Sequence, residues 1–301
     1  MKTILSAVLA VLILATASAP ARQDAKKGTA KLTKVEVQTA DHVYKKTAEA
    51  DLALHVFLPP GWKATDKRPV IVFFFGGGWK NGAYTQFVPQ AEYFASRGIV
   101  AASADYRILN KHKTTPDKCV EDAKSAIRWV RANAGKLGVD PDRVIAGGGS
   151  AGGHLAAATA FLDGFDAKDD DVTVSCKPNA LVLFNPALNV KDRAVPDASG
   201  KDISAAFWPN AFVKKGAPPT VIFFGTSDAL IAGGREYVAK AKELGNRAEL
   251  WTAADMPHGF FNRSPWLEAT THKADEFLES LGYLTGKPTL DVPAGKELKR
   301  E

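Results

Sequence analysis

Ser150 sits in the run Gly148-Gly149-Ser150-Ala151-Gly152, with one glycine two places before it and another two places after. A G-x-S-x-G pattern between a short apolar strand and a small-residue helix fits a nucleophile held on a sharp turn. Glycines at those positions let strand and helix approach without Cβ clashes. The start of the following helix favours developing negative charge. A serine hydroxyl is a poor nucleophile until a base removes its proton. The run therefore asks for a histidine, and for an acid to orient it, further along the chain.

Six histidines are available. His42 and His55 fall on early strands, and His112 lies in a Lys-rich loop. His154 follows the serine on the same helix, where packing ties it down, and His272 lies within the last helix pattern. His258, in Met256-Pro257-His258-Gly259-Phe260-Phe261, falls in a loop between a late strand and the last helix. It is the candidate general base. The strand over 220–224 runs into Gly225-Thr226-Ser227-Asp228. Asp228 thus stands at the C-terminal end of a buried strand, where parallel sheets place their sites. Asp255, three residues from His258, competes for the orienting role but reads better as a turn residue.

The elements needed to position these groups are legible as apolar runs. Segments 70–75, 99–103, 143–146, 180–184, 220–224 and 248–252 read as strands, several of them continuously apolar as in sheets buried on both faces. Segment 52–58 alternates into a Pro-Pro-Gly turn. Helical spacing recurs over 88–96, 117–130, 151–162, 233–244 and 266–281. Alternating strand and helix predicts an α/β fold, a mostly parallel sheet with helices on both faces, in one domain. The long connection 188–219 carries Phe207, Trp208 and Phe212, and connections of that length are often functional. It is expected to form a small lid or pocket wall.

The 301 residues, 46% hydrophobic and 24% charged, suffice for one large core. Net charge is +6, but Lys and Arg are interleaved with Asp and Glu. That describes a solvated surface rather than a nucleic-acid partner. Residues 1–21 read as a signal peptide: Lys2, an apolar run from Ile4, and Ala19 and Ala21 at the cleavage rule's small positions. The run is shorter than the roughly 20 residues of a spanning helix, so stable membrane insertion is not expected. Export, secreted or periplasmic, makes a Cys119–Cys176 disulfide a candidate, with two buried free thiols as the alternative. Residues 22–33 read as a flexible lead-in, 34–284 as the domain and 285–301 as a frayed polar tail. Neither a metal cluster nor a cofactor motif is present; Gly76-Gly77-Gly78 lacks the ending of a phosphate-binding loop.

Taken together, GGGSAGGHLA, GTSDAL, MPHGFF and FFGGGW resemble the α/β-hydrolase superfamily over roughly residues 50–283. They are most similar to its esterase/lipase branch with an HGGGW loop, which includes hormone-sensitive-lipase-like, acetyl xylan and feruloyl esterases. The resemblance implies an α/β-hydrolase fold and an acyl-enzyme mechanism with Ser150 as nucleophile, His258 as base and Asp228 as orienter. It places oxyanion donors on Gly76, Gly77 and Ala151. Trp79, Phe207, Trp208 and Phe260 are candidates for the substrate pocket. The substrate expected is a short-chain or carbohydrate-linked ester, free or on a polysaccharide. Where the family has histidine this chain has Phe75, so the polar brace of the glycine loop is missing. Two other readings compete. A serine peptidase of the same fold would usually carry a propeller domain and Tyr or Trp beside the serine; Ala151 stands there instead. An inactive binding protein is favoured by Phe75 alone.

Overall fold

The computed structural model describes residues 37–189 and 193–301, so the expected signal peptide and lead-in lie outside the described residues. Nine strands form one sheet: β1 (Gln38–Lys46), β2 (Asp51–Leu58), β3 (Arg68–Phe74), β4 (Val100–Ala104), β5 (Val139–Gly149), β6 (Ala180–Phe184), β7 (Thr220–Gly225), β8 (Ala248–Ala253) and β9 (Lys299–Arg300). The helices are α1 (Val88–Ser96), α2 (Leu109–His112), α3 (Pro116–Ala132), α4 (Ala134–Leu137), α5 (Ala151–Phe161), α6 (Ser204–Phe207), α7 (Ile231–Glu243) and α8 (Trp266–Ser280).

The sheet order is β1-β2-β4-β3-β5-β6-β7-β8-β9. From β4 to β8 every pairing is parallel, and β1, β2 and β9 add antiparallel edges. The parallel strands β3, β4, β6 and β7 are almost wholly buried, which is why they read as unbroken apolar runs. One core lies under α3, α5 and α7, and includes Ile127, Leu155 and Tyr237. The other lies under α1 and α8, and includes Phe94 and Phe277.

Chain order reverses around β3, which leads first to β4 on one side and then to β5 on the other. Loops leaving β3 and β5 at their C-terminal ends therefore diverge and leave a crevice, the usual ligand position in open α/β sheets. Those two ends carry the glycine loop from Gly76 and the turn at Ser150.

Two expectations are corrected here. Cys119 and Cys176 are free and buried. The Cys119 thiol faces the Arg107 carbonyl oxygen at the start of α3, and Cys176 faces the Thr159 carbonyl oxygen. The loop before β6 that carries Cys176 is held by Arg128, which donates to the Val174 carbonyl. Arg128 lies about 13 Å along α3 from Cys119, so the two thiols sit near opposite ends of one helix, beyond disulfide reach. Nor is 285–301 frayed. Arg97 donates to the carbonyls of Thr285 and Gly286, and His272 Nδ1 lies 2.9 Å from the Leu290 carbonyl oxygen. β9 pairs with β8, and Arg235 grips Glu301 with two hydrogen bonds. Charge composition suggested a solvated tail; edge pairing and these side-chain clamps decided otherwise.

Candidate active site

β5 ends at Gly149 and α5 begins at Ala151, so Ser150 alone makes the turn. Its backbone has φ 55° and ψ −116°, a region that a side chain rarely occupies. Such strain costs of order 1–3 kcal/mol and persists only where surrounding contacts over-determine it. Those contacts are made through absent side chains. A Cβ on Gly148 would lie 2.6 Å from the Phe74 carbonyl oxygen, and one on Gly152 only 2.0 Å from the same atom. The ends of β3 and β5 and the start of α5 are thus in backbone contact. The Ser150 N–H donates to the Phe184 carbonyl at 3.0 Å, and the Ser150 carbonyl accepts from His154 and Ala187. Below the turn, Phe87, Phe184 and Phe261 pack together with ring centroids 4.9–5.8 Å apart.

His258 and Asp228 arrive from 108 and 78 positions away in the chain (258 − 150 and 228 − 150). His258 Nε2 lies 2.8 Å from Ser150 Oγ, and His258 Nδ1 lies 2.7 Å from Asp228 Oδ2. Asp228 is 3% exposed, and its other oxygen accepts the Leu230 N–H at 2.8 Å. A carboxylate so placed fixes the imidazole proton on Nδ1, leaving Nε2 free to accept the Ser150 proton. The loop carrying His258 is stitched to the Asp228 turn: Ser227 N–H donates to the Met256 carbonyl, and Thr226 N–H to that of Ala253. Gly225 allows this approach, since a Cβ there would sit 2.0 Å from the Met256 carbonyl oxygen. Asp255 is an exposed turn residue with φ 58°, as its sequence position suggested.

Asn185 escaped the sequence reading. It follows β6 with φ 37°, is wholly buried, and accepts the Gly259 N–H on Oδ1 at 3.0 Å. It therefore pins the loop immediately after His258. Its only sequence signal is an amide at the end of an apolar strand.

The glycine loop from Gly76 faces Ser150; a Cβ on Gly76 would lie 3.3 Å from that of Ser150. Phe75 is 2% exposed and stacks on Tyr106 with centroids 4.1 Å apart, while the Tyr106 hydroxyl donates to the Phe75 carbonyl at 2.7 Å. Core packing thus stands where the family's histidine would brace the loop, as the replacement by Phe75 implied. Beyond it, Lys80 and Asn81 N–H groups both donate to the Gly77 carbonyl, and Leu109 N–H donates to that of Trp79. Ala151, the first residue of α5, has an N–H with no intrahelical partner. Gly76 departs from expectation: its N–H already donates to Gln86 Oε1 at 2.6 Å.

Trp79, Phe207 and Trp208 come together around His154. His154 Nε2 lies 2.8 Å from the Phe207 carbonyl oxygen, and burial lowers the imidazole pKa to about 4. His154 is therefore a neutral packing residue. Phe207 and Trp208 bring the connection after β6 into this wall, with Phe207 fully buried. Phe260 does not join it. It is buried in the opposite core, edge-on to Trp266 at 5.8 Å. The residue next to Gly259 is turned under the α8 side by the helical turn Phe260–Asn262.

Comparison with known proteins finds esterases of the same family. The BD-FAE family profile matches residues 54–238. Carboxylesterase NlhH of Mycobacterium tuberculosis is 30% identical over 241 residues, covering 70% of this chain and 72% of its own. Thermogutta terrifontis esterase 2 phosphorylated by paraoxon is 44% identical with a TM-score of 0.78, covering 83% of this chain and 96% of its own. A propionate-bound structure of that esterase gives 42% identity, a TM-score of 0.78, and coverage of 83% and 96%.

Proposed function

The chain belongs to the BD-FAE family of α/β-hydrolases and is a carboxylic ester hydrolase, and from that premise we propose that it is an exported serine esterase acting on short-chain or carbohydrate-linked acyl esters. The observation that carries the mechanism is His258 bridging Ser150 and Asp228 at 2.8 and 2.7 Å. Ser150 Oγ attacks the ester carbonyl carbon while its proton passes to His258 Nε2. The imidazolium formed is held by Asp228 and returns that proton to the leaving alcohol. Water repeats the sequence on the acyl-enzyme and releases the acid. The tetrahedral oxyanion is stabilised by backbone N–H groups of the glycine loop and of Ala151, each worth about 3–4 kcal/mol where such donors have been removed.

Short acyl groups are supported by the propionate held in the Thermogutta structure. Carbohydrate-linked acetyl or feruloyl groups are supported by the sequence resemblance and by the export signal read in residues 1–21. Among the described residues, no helix is long and apolar enough to cross a membrane. The test is a panel of p-nitrophenyl esters of rising chain length, acetylated xylan and feruloyl esters, together with inactivation by paraoxon. Turnover greatest on the shortest esters is expected. One diethylphosphoryl group per chain is expected on Ser150, mapped by peptide mass. Labelling elsewhere, or a folded protein inert to the whole panel, would sink the reading.

Phe75 bears on this mechanism in a measurable way. The donors are backbone groups, and the loop is already tied by Gln86, Leu109 and Tyr106. Phe75→His is therefore expected to change kcat/KM by less than about tenfold, roughly 1.4 kcal/mol of barrier. A much larger gain would mean that the natural loop holds its donors out of place.

A further inference from the structure

Gln86 lies in the helical turn Tyr84–Phe87, and Asn262 lies 176 positions away in the turn after His258. Their side chains complete a chain of three hydrogen bonds. The Gly76 N–H donates to Gln86 Oε1 at 2.6 Å, Gln86 Nε2 donates to Asn262 Oδ1 at 3.0 Å, and Asn262 Nδ2 donates to the Gly259 carbonyl at 3.0 Å. Both ends of the chain are backbone groups of fixed polarity: an N–H that can only donate and a carbonyl that can only accept. That fixes the orientation of both amides, which could otherwise be flipped. Beside the chain, Phe87 and Phe261 stack at 5.8 Å, so the two turns are joined by an apolar contact as well as a polar one.

One end of the chain is the glycine loop and the other is the residue next to His258. We propose that Gln86, acting with Asn262, is a positioning residue: it holds the glycine loop at a set distance from the His258 loop, and it supplies the polar brace that Phe75 cannot. The assignment rests on the esterase mechanism above and sharpens it. With the Gly76 N–H committed to Gln86, the oxyanion falls to the N–H groups of Gly77 and Ala151. No acceptor among the described residues takes the Gly77 N–H. The brace matters most when charge develops at the oxyanion, so its loss lowers kcat rather than raising KM.

The experiment uses the full chain with Gln86→Met, which keeps bulk but removes both hydrogen bonds, with Asn262→Ala, and with the double variant. Turnover of p-nitrophenyl acetate and thermal midpoints are measured in parallel. Each single change is expected to lower kcat about tenfold with KM within about twofold, and the double to fall no further than the worse single, because residues acting as one unit are non-additive. Thermal midpoints should move by no more than about 2 °C. Asn262 is exposed, so its variant reports on the chain even if Gln86→Met folds poorly. Wild-type kcat in either single variant would overturn the proposal. Multiplying losses in the double, or losses that follow the thermal midpoint, would do so too. Absence of ester turnover in the wild-type protein would instead overturn the esterase mechanism on which the brace depends.

Discussion

Asp228→Asn is expected to lower kcat on p-nitrophenyl acetate about ten-thousandfold at neutral pH, with KM and thermal stability close to wild type. The reason lies in the two partners of the carboxylate. One oxygen accepts the Leu230 N–H at 2.8 Å, and the other faces His258 Nδ1 at 2.7 Å. An asparagine must turn its oxygen to the Leu230 N–H, because an NH2 group there would set donor against donor. Its NH2 then points at His258 and can bond only to an unprotonated Nδ1. The imidazole proton is driven to Nε2, the atom that should accept from Ser150. Shape and burial are conserved, so the fold survives while the base is lost. Steady-state kinetics decide the matter, with Ser150→Ala marking the floor. A loss under tenfold would show that Asp228 does not set the tautomer. Asp255 offers no substitute, since it is exposed and its N–H is held against Thr226 Oγ1 at 2.8 Å.

The parts of this site that sequence made legible share one property: each is stated by a short contiguous pattern. Ser150 is marked by glycines that backbone contact demands, and Asp228 by the end of a continuous apolar strand. His258 is marked by a loop between a strand and a helix. The parallel sheet follows from the same runs, although β5 extends to Gly149 because pairing with β6, not glycine content, decides where a strand stops. What stayed hidden depends on pairs distant in sequence. Gln86, Asn185 and Asn262 are amides in irregular segments, with no periodicity to mark them, and only the folded chain shows whose backbone they hold. The docking of residues 285–301 was hidden for the same reason: Arg97 and Arg235 read as ordinary surface charges until their partners are known. Phe260 is a pocket candidate two positions after His258, but the helical turn that it begins sends its ring to the opposite core.

Gly152→Ala sets two magnitudes against each other, and they have opposite signs. Gly152 is the second residue of α5, where alanine is favoured over glycine by up to about 1 kcal/mol in helix propensity. Against that, the new Cβ would stand 2.0 Å from the Phe74 carbonyl oxygen and 2.4 Å from that of Phe75. Both obstacles are backbone, so no side chain can swing aside, and β3 must part from α5 by more than an ångström. Overpacking of a well-packed core costs about 1–3 kcal/mol and occasionally more, and contact with rigid backbone belongs at the upper end. The steric term therefore wins. A net loss of about 2 kcal/mol or more is expected, seen as a fall in thermal midpoint of about 4–8 °C for a chain of this size. Gly135→Ala is the control: it lies in α4 with open space where its Cβ would go, so there the propensity term stands alone and the midpoint should hold or rise. Esterase activity in Gly152→Ala should fall further than stability does, because the displaced strand end carries the glycine loop and the displaced helix start carries the Ala151 N–H. A Gly152→Ala protein as stable as wild type would mean that β3 and α5 are not in backbone contact, and the strained conformation of Ser150 would lose the packing that holds it.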